Sequence, residues 1–169
     1  AVVAGGQRFQ VLADMGFDVT ESERFGEKLL HFEHPCGIEY ELVGVADDGR
    51  VPHTEGVVPR ENGIRGTHAI TVSVRDAECM MDFMQAGWNA KKTADDGAYF
   101  RYEIGDGGTG RIVDFVMEPD VPQGTWTFGE GTVHHAAFEV ESLEVQDEVK
   151  GYLEGLGYTD VSESKDRGY

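Results

Sequence analysis

A three-residue pattern recurs along the chain and indicates a repeated fold. Each copy has an apolar residue, a glycine four positions later and an aromatic residue directly after the glycine. The copies are Leu12 with Gly16 and Phe17, Phe83 with Gly87 and Trp88, and Leu153 with Gly157 and Tyr158. Glycine takes the left-handed conformation that ends a helix, and the aromatic side chain then folds back onto the helix. We therefore predict three equivalent helices, each belonging to one copy of a repeated unit.

Strand-like runs accompany these helices at matching distances. The segments 67–74 and 133–140 precede the second and third helices, and His68 and His135 hold equivalent positions in them, 67 residues apart. Further runs follow the helices and are separated by glycine-rich turns, as in successive antiparallel strands. They are 28–34 and 38–44 in the first unit, and 98–105 and 110–117 in the second. The unit is therefore strand, helix, strand, strand, strand, which indicates an α+β fold of βαβββ modules.

The chain contains one complete unit between two partial ones. Residues 66–117 carry every element, whereas 7–44 lack the leading strand and 132–169 lack the later strands. The polar segments 45–64 and 118–131 are predicted linkers. We expect 7–44 and 66–117 to pair in one sheet-lined domain, and the chain to be an internal piece of a longer protein.

The charge of the chain restricts its partners. An excess of acidic over basic side chains, 32 against 14, gives a net charge of −18. Because nucleic acids and anionic membranes are bound through Lys and Arg, we expect neither as a partner. No apolar run approaches the roughly 18 residues of a membrane span, and the first residues do not resemble a signal peptide. Isolated Cys36 and Cys79 suit a reducing cytoplasm, and the dispersed acidity favours adaptation to high salt over an ordinary habitat.

Four stretches of sequence carry a resemblance to a known family. They are FGEKLLHFEHPCGIEYELVG at 25–44, IRGTHAITVSV at 64–74, GTVHHAAFEV at 131–140 and DRGY at 166–169. With the βαβββ repeat, they resemble successive landmarks of the vicinal oxygen chelate superfamily, and in particular its ring-cleaving branch, which includes hydroquinone dioxygenases. The resemblance implies glyoxalase-like modules that pair into curved mixed sheets with a divalent metal on the concave face. It also implies iron(II) held by two histidines and one carboxylate, with open positions for substrate oxygens and dioxygen.

The resemblance assigns a metal ligand to the second histidine of the HH pair, His135. On a strand, successive side chains point to opposite faces, so we expect His134 and His135 to point in opposite directions. Small Ala137 beside His135 leaves room over a cleft, whereas Phe138 and Val140 mark a packing face for His134. Without the resemblance, a strand histidine is more often a hydrogen-bonded structural residue than a ligand.

His68 is the second candidate ligand, since it matches His135 by position in the repeat. Many extradiol enzymes take both histidines from consecutive module starts, whereas the hydroquinone-type branch takes its first histidine from the start of the full chain. His68 shares a core-like face with Ile70, which favours a structural role. Glu41 and Asp114 end their units where a ligand carboxylate would sit. A buried acid has a partner, a metal among the choices, but an acid on a strand more often points to water, which is what we expect for these two. The glutamate ligand of the family is assigned to no residue here.

Three hypotheses of function follow. The first is a non-haem iron(II), extradiol-type dioxygenase, an oxidoreductase of aromatic compound degradation that binds a catechol or hydroquinone together with dioxygen, with Mn, Zn or Ni as alternative metals. The second is a glyoxalase-type, metal-dependent lyase or isomerase. The third is a metal-free module that binds small molecules, like the drug-sequestering members of the superfamily. Because one assigned imidazole cannot hold iron(II), we expect these 169 residues to be inactive, to hold no iron tightly, and to form a homo-oligomer or swapped dimer through an exposed strand edge.

Overall fold

The computed structural model describes residues 4–55, 58–122, 124, 129 and 131–165. The elements of the first unit are α1 (Ala4–Asp14), β1 (Val19–Arg24), β2 (Glu27–Glu33) and β3 (Glu39–Gly44). The second unit has β4 (Ala69–Val74), α2 (Glu78–Asp82, continued by the π-helical turn Phe83–Gly87), β5 (Lys91–Asp95), β6 (Tyr99–Glu103) and β7 (Ile112–Met117). Helix α3 (Leu143–Gly155) follows, and a short 3-10 helix (Arg60–Asn62) lies between the first two units. This order confirms the predicted α+β class and its βαβββ unit.

The first sheet is an antiparallel meander in the order β1-β2-β3. A two-residue turn joins β1 to β2, and its residues Phe25 and Gly26 both have positive φ, 51° and 78°, as a type I′ hairpin requires. Leu29 and Leu30 are both buried although they point to opposite faces of β2. One face is covered by the first helix and by Phe17, which follows it and packs edge-on against Phe32 at 5.4 Å between ring centroids. The other face must therefore also be covered.

The second sheet has the order β4-β7-β6-β5, with β4 parallel to β7 and the other pairs antiparallel. The parallel pair follows from the crossover through α2, since a strand that returns after a helix can lie parallel to the first one. Tyr102, Val113 and Phe115 form the core of this unit with Met84 and Ala90. Strand β7 is buried on both of its faces along Ile112–Phe115, so this sheet too is covered on both sides.

Helix α3 packs on the second unit. Leu153 is buried, and a Cβ placed on Gly87 would come within 3.0 Å of its Cδ2 atom. Phe83 meets Tyr158 edge-on at 5.1 Å between centroids. Ser142 caps the helix as its sequence predicts, because its side chain accepts a hydrogen bond from the backbone N–H of Val145 at 3.3 Å.

The three repeated glycines do not all serve the same purpose. Gly16 and Gly157 have φ of 88° and 98° and end their helices in the predicted left-handed conformation. Gly87 does not, and that part of the prediction was wrong. The left-handed residue there is Asn89, with φ of 50°, and Gly87 is needed instead for the close approach of Leu153.

Two predicted strands differ from the structure. The segment 133–140 has no strand structure, because a strand needs a hydrogen-bonded neighbour and no described strand lies beside it. Its counterpart β4 is paired with β7 and begins at Ala69, so His68 lies just outside the strand.

The predicted linker 118–131 includes 123, 125–128 and 130, and these lie outside the described residues, as do 1–3, 56–57 and 166–169. Among the described helices, none combines the length and the apolar character that a membrane span needs.

Candidate functional site

Five charged side chains and one histidine from the two units meet in the space between the sheets. We call them the intersheet cluster, and its members are Arg24, Glu27, Glu41, His68, Arg101 and Asp114. The first three belong to the meander of the first unit, and the others belong to the second unit. The cluster therefore covers the remaining face of each sheet and joins the two units through ion pairs.

The centre of the cluster is Asp114, which is 1% exposed. It lies opposite Arg101 in the ladder of β6 and β7, so the two side chains project to the same face. Arg101 donates two parallel hydrogen bonds to it, from Nε to Oδ1 and from Nη2 to Oδ2, both 2.8 Å long. This two-pronged contact is the strongest arrangement that a guanidinium can make with a carboxylate.

Arg101 also reaches the first sheet. Its Nη1 atom is 2.7 Å from Glu27 Oε2, although the contact lies off the N–H direction and is an ion pair rather than an aligned hydrogen bond. Its guanidinium carbon lies 5.0 Å from the centroid of the Phe25 ring in the β1–β2 turn. One arginine thus contacts the acid of its own sheet and a carboxylate and an aromatic ring of the other.

Arg24 makes the reciprocal connection from the first sheet. It is 7% exposed, and both of its terminal nitrogens donate to the carboxylate of Glu41. Nη1 also donates to Thr71 Oγ1 at 3.3 Å and to Asp114 Oδ2 at 3.4 Å on the second sheet. The guanidinium carbon lies 4.1 Å from the centroid of the Tyr99 ring.

Both arginines keep their charge in this environment. Burial by itself lowers the pKa of Arg101, but the hydrogen bonds that it donates to Asp114 and the negative charges of Asp114 and Glu27 outweigh burial and raise the pKa above its ordinary value. The same balance, with Glu41 as the main partner, raises the pKa of Arg24. The sheets are therefore joined by permanent cations, and the junction does not loosen by arginine deprotonation at any ordinary pH.

His68 is held by protein groups on both of its ring nitrogens. Nδ1 is 3.2 Å from Thr109 Oγ1, and Nε2 is 3.0 Å from Glu27 Oε1, the latter out of line for a hydrogen bond. The side chain is 10% exposed. Because His68 precedes β4, it does not share the face of Ile70 as the alternation predicted, and it faces the intersheet cluster instead. These contacts favour the structural reading of this residue.

The two acids that the sequence singled out are both paired with arginine. Glu41 is 27% exposed and pairs with Arg24, so the expectation that such an acid points to water is wrong for both residues. No group of three or more His, Cys, Asp or Glu side chains that could hold a metal ion occurs in the described part of the chain. Within that part, the cations that neutralise these carboxylates are guanidinium groups.

The HH pair lies on the surface in irregular chain. Both histidines are exposed, and their Nδ1 atoms are 2.8 Å apart, so that one donates and the other accepts. The two rings are nearly perpendicular, at 86° with centroids 5.0 Å apart. Because the segment is not a strand, the expected opposite orientation of His134 and His135 does not hold. Phe138 lies on a packing face as predicted, since its ring meets Trp88 edge-on at 5.3 Å.

Gly131 positions the start of this segment against the first unit. Its φ is +80°, and a Cβ at this position would collide with the carbonyl oxygen of Cys36 in the β2–β3 turn. We expect Gly131→Ala to lower the free energy of unfolding by about 2 kcal/mol more than Gly97→Ala does, because a steric clash is added to the backbone strain that both substitutions share. Gly97 is the matched control, since its φ is +89° and a Cβ at that position would have nothing within 4 Å.

The two variants are compared by urea unfolding. If the free energy of unfolding falls with urea concentration at the same slope in both, their midpoint urea concentrations can be compared directly. Equal stabilities would show that Gly131 is not held against the Cys36 turn. The measurement thus tests whether residues 131–140, which we call the HH segment, are anchored at their first residue.

Reasoning from the sequence missed the two arginines of the cluster. Arg101 had a detectable signal, because it lies inside the aromatic run YFRYE, where a charged residue that is buried on a sheet needs a partner. Arg24 had none, since it ends the polar run VTESER, which is typical of an exposed strand. Its partner Asp114 is 90 residues away in sequence.

Comparison with known proteins finds similarity to proteins named as dioxygenases, whereas no protein-family model matches the chain. It is 47% identical over 149 residues to chlorohydroquinone/hydroquinone 1,2-dioxygenase of Sphingobium indicum, covering 87% of this chain and 46% of that protein. It is 28% identical over 150 residues to MhqO of Bacillus subtilis strain 168, provisionally named a ring-cleaving dioxygenase, covering 89% of this chain and 46% of that protein. The chain spans about half the length of the curated relatives it matches.

The fold agrees with the sequence relationship. The crystal structure of a provisionally named dioxygenase from Bacillus subtilis strain 168 superposes with a TM-score of 0.85 at 26% identity, covering 98% of this chain and 52% of that one. The resemblance carried by the four sequence stretches is thereby confirmed. By sequence and fold, the chain is similar to about half the length of proteins that are named as dioxygenases.

Proposed function

We propose that this chain is part of a ring-cleaving dioxygenase that acts on a hydroquinone or a catechol. The observation that carries the proposal is the 47% identity, over 87% of the chain, to a protein named for its action on chlorohydroquinone and hydroquinone. The structural similarity supports the same branch over nearly the whole chain. The reaction would add dioxygen to a small aromatic diol and open its ring.

The described residues of this chain do not complete a site for the metal that such a reaction needs. Iron(II), when bound, would supply Lewis acidity and bring the phenolic oxygens and dioxygen together. We propose that His135 is one ligand, because its imidazole is exposed and lies in the family's HH landmark. A lone imidazole does not fit a facial triad, so the other ligands must come from outside the described residues.

The role of the other described side chains would be to hold the HH segment in place. Trp88 packs against Phe138, three residues after His135, and Gly87 receives Leu153 of the following helix. These contacts fix the segment to the second unit, which the intersheet cluster fixes to the first. Orientation of a ligand by packed neighbours is the contribution that a scaffold makes to a metal site.

The test uses the full-length protein loaded anaerobically with iron(II). We expect it to consume one dioxygen for each hydroquinone or catechol that disappears, as measured with an oxygen electrode and by the loss of aromatic absorbance. Manganese, zinc and nickel loading in parallel identifies the metal. Iron-loaded protein that leaves every diol unchanged would contradict the proposal, and turnover of a hemithioacetal without oxygen uptake would replace it with an isomerase of the glyoxalase kind.

We also propose that the protein works in a cytoplasm of high salt concentration. The net charge of −18 includes many exposed carboxylates that repel one another, and counterions screen this repulsion. The melting temperature is expected to rise by about 10 °C between dilute buffer and molar potassium chloride, since repulsion destabilises the compact state. Circular dichroism in potassium chloride, with sucrose as an uncharged control, measures the effect. A melting temperature that does not depend on salt would show that this is an acidic protein of ordinary habitat, without adaptation to high salt.

A further inference from the structure

Three oxygen atoms from three strands converge on one nitrogen atom between the sheets. The nitrogen is Nη1 of Arg24, and the distances are 3.0 Å to Glu41 Oε2, 3.3 Å to Thr71 Oγ1 and 3.4 Å to Asp114 Oδ2. Glu41 belongs to β3, Thr71 to β4 and Asp114 to β7. Two of these oxygens belong to carboxylates, and that of Asp114 is buried, whereas Glu41 is 27% exposed. Two carboxylates this close together, one of them buried, need a cation between them.

We propose that the guanidinium of Arg24 is the resident cation of an oxygen-lined cation site between the two sheets. The site takes no metal in the native chain because this internal cation fills it. When the side chain is shortened, the site accepts a small planar cation of the guanidinium class from solution. The proposal concerns a site that is separate from the HH segment.

The geometry selects a guanidinium over a metal ion. Both terminal nitrogens of Arg24 contact the two oxygens of Glu41, which matches the fork of a guanidinium to a carboxylate. The ring of Tyr99 lies under the guanidinium at 4.1 Å, and aromatic faces attract flat cations of this kind. The three oxygens stand 3.0 Å or more from the nitrogen centre, whereas Mg²⁺ and Ca²⁺ need oxygens at about 2.0–2.6 Å.

The second arginine explains why the site is open to only one cation. Arg101 already donates two hydrogen bonds to Asp114 and lies beside Glu27. These two carboxylates therefore keep a neighbouring cation when Arg24 is removed. Removal of Arg24 leaves Glu41 without its cation and Asp114 with one guanidinium. The vacancy then has the shape, the charge and the aromatic wall of the group that was removed.

The experiment is chemical rescue of Arg24→Ala. We expect this variant to melt about 10 °C below the parent, because a buried ion pair has lost one member. Methylguanidinium chloride at tens of millimolar, far below the molar range in which guanidinium denatures, is expected to recover at least half of the loss in a saturable manner. Methylurea has the same shape without the charge and is expected to recover nothing. Sodium chloride of equal ionic strength accounts for screening.

Arg111→Ala is the matched control. Arg111 is 52% exposed, and its contact with Asp106, at 3.6 Å, lies in solvent. This variant is expected to have a melting temperature close to that of the parent, and methylguanidinium is expected not to change it. Manganese and magnesium chloride are tested on the parent and on Arg24→Ala, and neither is expected to stabilise them beyond sodium chloride.

Three results would overturn the proposal. They are equal stability of the Arg24→Ala and Arg111→Ala variants, rescue by methylurea or sodium chloride as large as that by methylguanidinium, and rescue by a divalent metal alone. If Arg24→Ala does not fold with or without rescue, Arg24→Lys and Arg24→Gln decide. The lysine variant, which keeps a cation within reach of the oxygens, must then be the more stable of the two, and equal stability would refute the resident-cation role.

Discussion

Asp114→Asn is expected to lower the melting temperature by 10 °C or more, or to leave the chain unfolded at room temperature. Asp114 is 1% exposed and is contacted by Arg101 and Arg24. An amide in its place has the same size but lacks the charge, and its NH2 group faces donors. Loss of one member of a buried ion pair costs about 3–5 kcal/mol, which is a large part of the stability of about 5–15 kcal/mol that a protein of this kind possesses. Thermal melting by circular dichroism measures the effect.

Asp106→Asn is the control for this substitution. Asp106 is 99% exposed, and its ion pair with Arg111 is 3.6 Å long, so the change is expected to stay within about 0.5 kcal/mol. A second arm replaces Arg101 by Met in the Asp114→Asn background. Because the two side chains are directly paired, the arginine substitution should cost less there than in the parent. Additive losses and a mild Asp114→Asn variant would together show that the buried pair does not hold the sheets together.

His135→Ala in the full-length protein is expected to abolish iron binding and to reduce ring cleavage by more than about 100-fold. This expectation depends on the proposed ligand role, since even groups that only orient a ligand change affinity or activity by about 10–100-fold. His134→Ala is the matched control, being exposed, adjacent and of the same residue type. Because its Nδ1 atom lies 2.8 Å from Nδ1 of His135, His134→Ala is expected to weaken iron binding and activity by at most about 10–100-fold, less than the His135 substitution does.

Three measurements separate a ligand from a structural role at His135. Iron content after desalting and oxygen uptake with hydroquinone report the site, whereas the melting temperature of the metal-free protein reports the fold. Because both histidines are exposed, each substitution should leave the metal-free stability within about 0.5 kcal/mol of the parent. Retention of iron in the His135→Ala protein, or a loss of iron in the His134→Ala protein as large as that in the His135→Ala protein, would remove His135 from the proposed site.

Much of the fold was predictable because it is encoded by local patterns. The spacing of apolar residues and glycines indicated all three helices, and the position of Ser142 indicated the cap of the third. Strands β1 and β5 were not located, since their sequences VTESER and KKTAD are mostly polar and lack the alternation of a half-buried strand. The segment 133–140 has that alternation but no neighbour among the described strands, so the pattern alone did not produce a strand.

The candidate site was less predictable than the fold. The acid inside the apolar run of β7 left two alternatives for Asp114, a buried partner such as a metal or the favoured exposure to water. The partners are Arg101, 13 positions away, and Arg24, 90 positions away. The distant partner depends on how the two sheets pack against each other, and no local pattern encodes that. His68 was placed on the wrong face because the alternation was extended one residue beyond the strand.

The separation of Arg24 from Asp114 in sequence also has a consequence for the order in which the molecule assembles. The β1–β2 hairpin closes through a two-residue turn and can form early, whereas the parallel β4–β7 pair waits for the crossover between them. The contact between Arg24 and Asp114 spans 90 positions and needs both sheets in place, so we expect it to form after the rate-limiting step of folding. An interaction that is absent from the folding transition state slows unfolding and leaves the folding rate unchanged. The guanidinium between the sheets would therefore act chiefly on the lifetime of the folded protein, which matters where a molecule that opens even briefly is exposed to proteases or to aggregation.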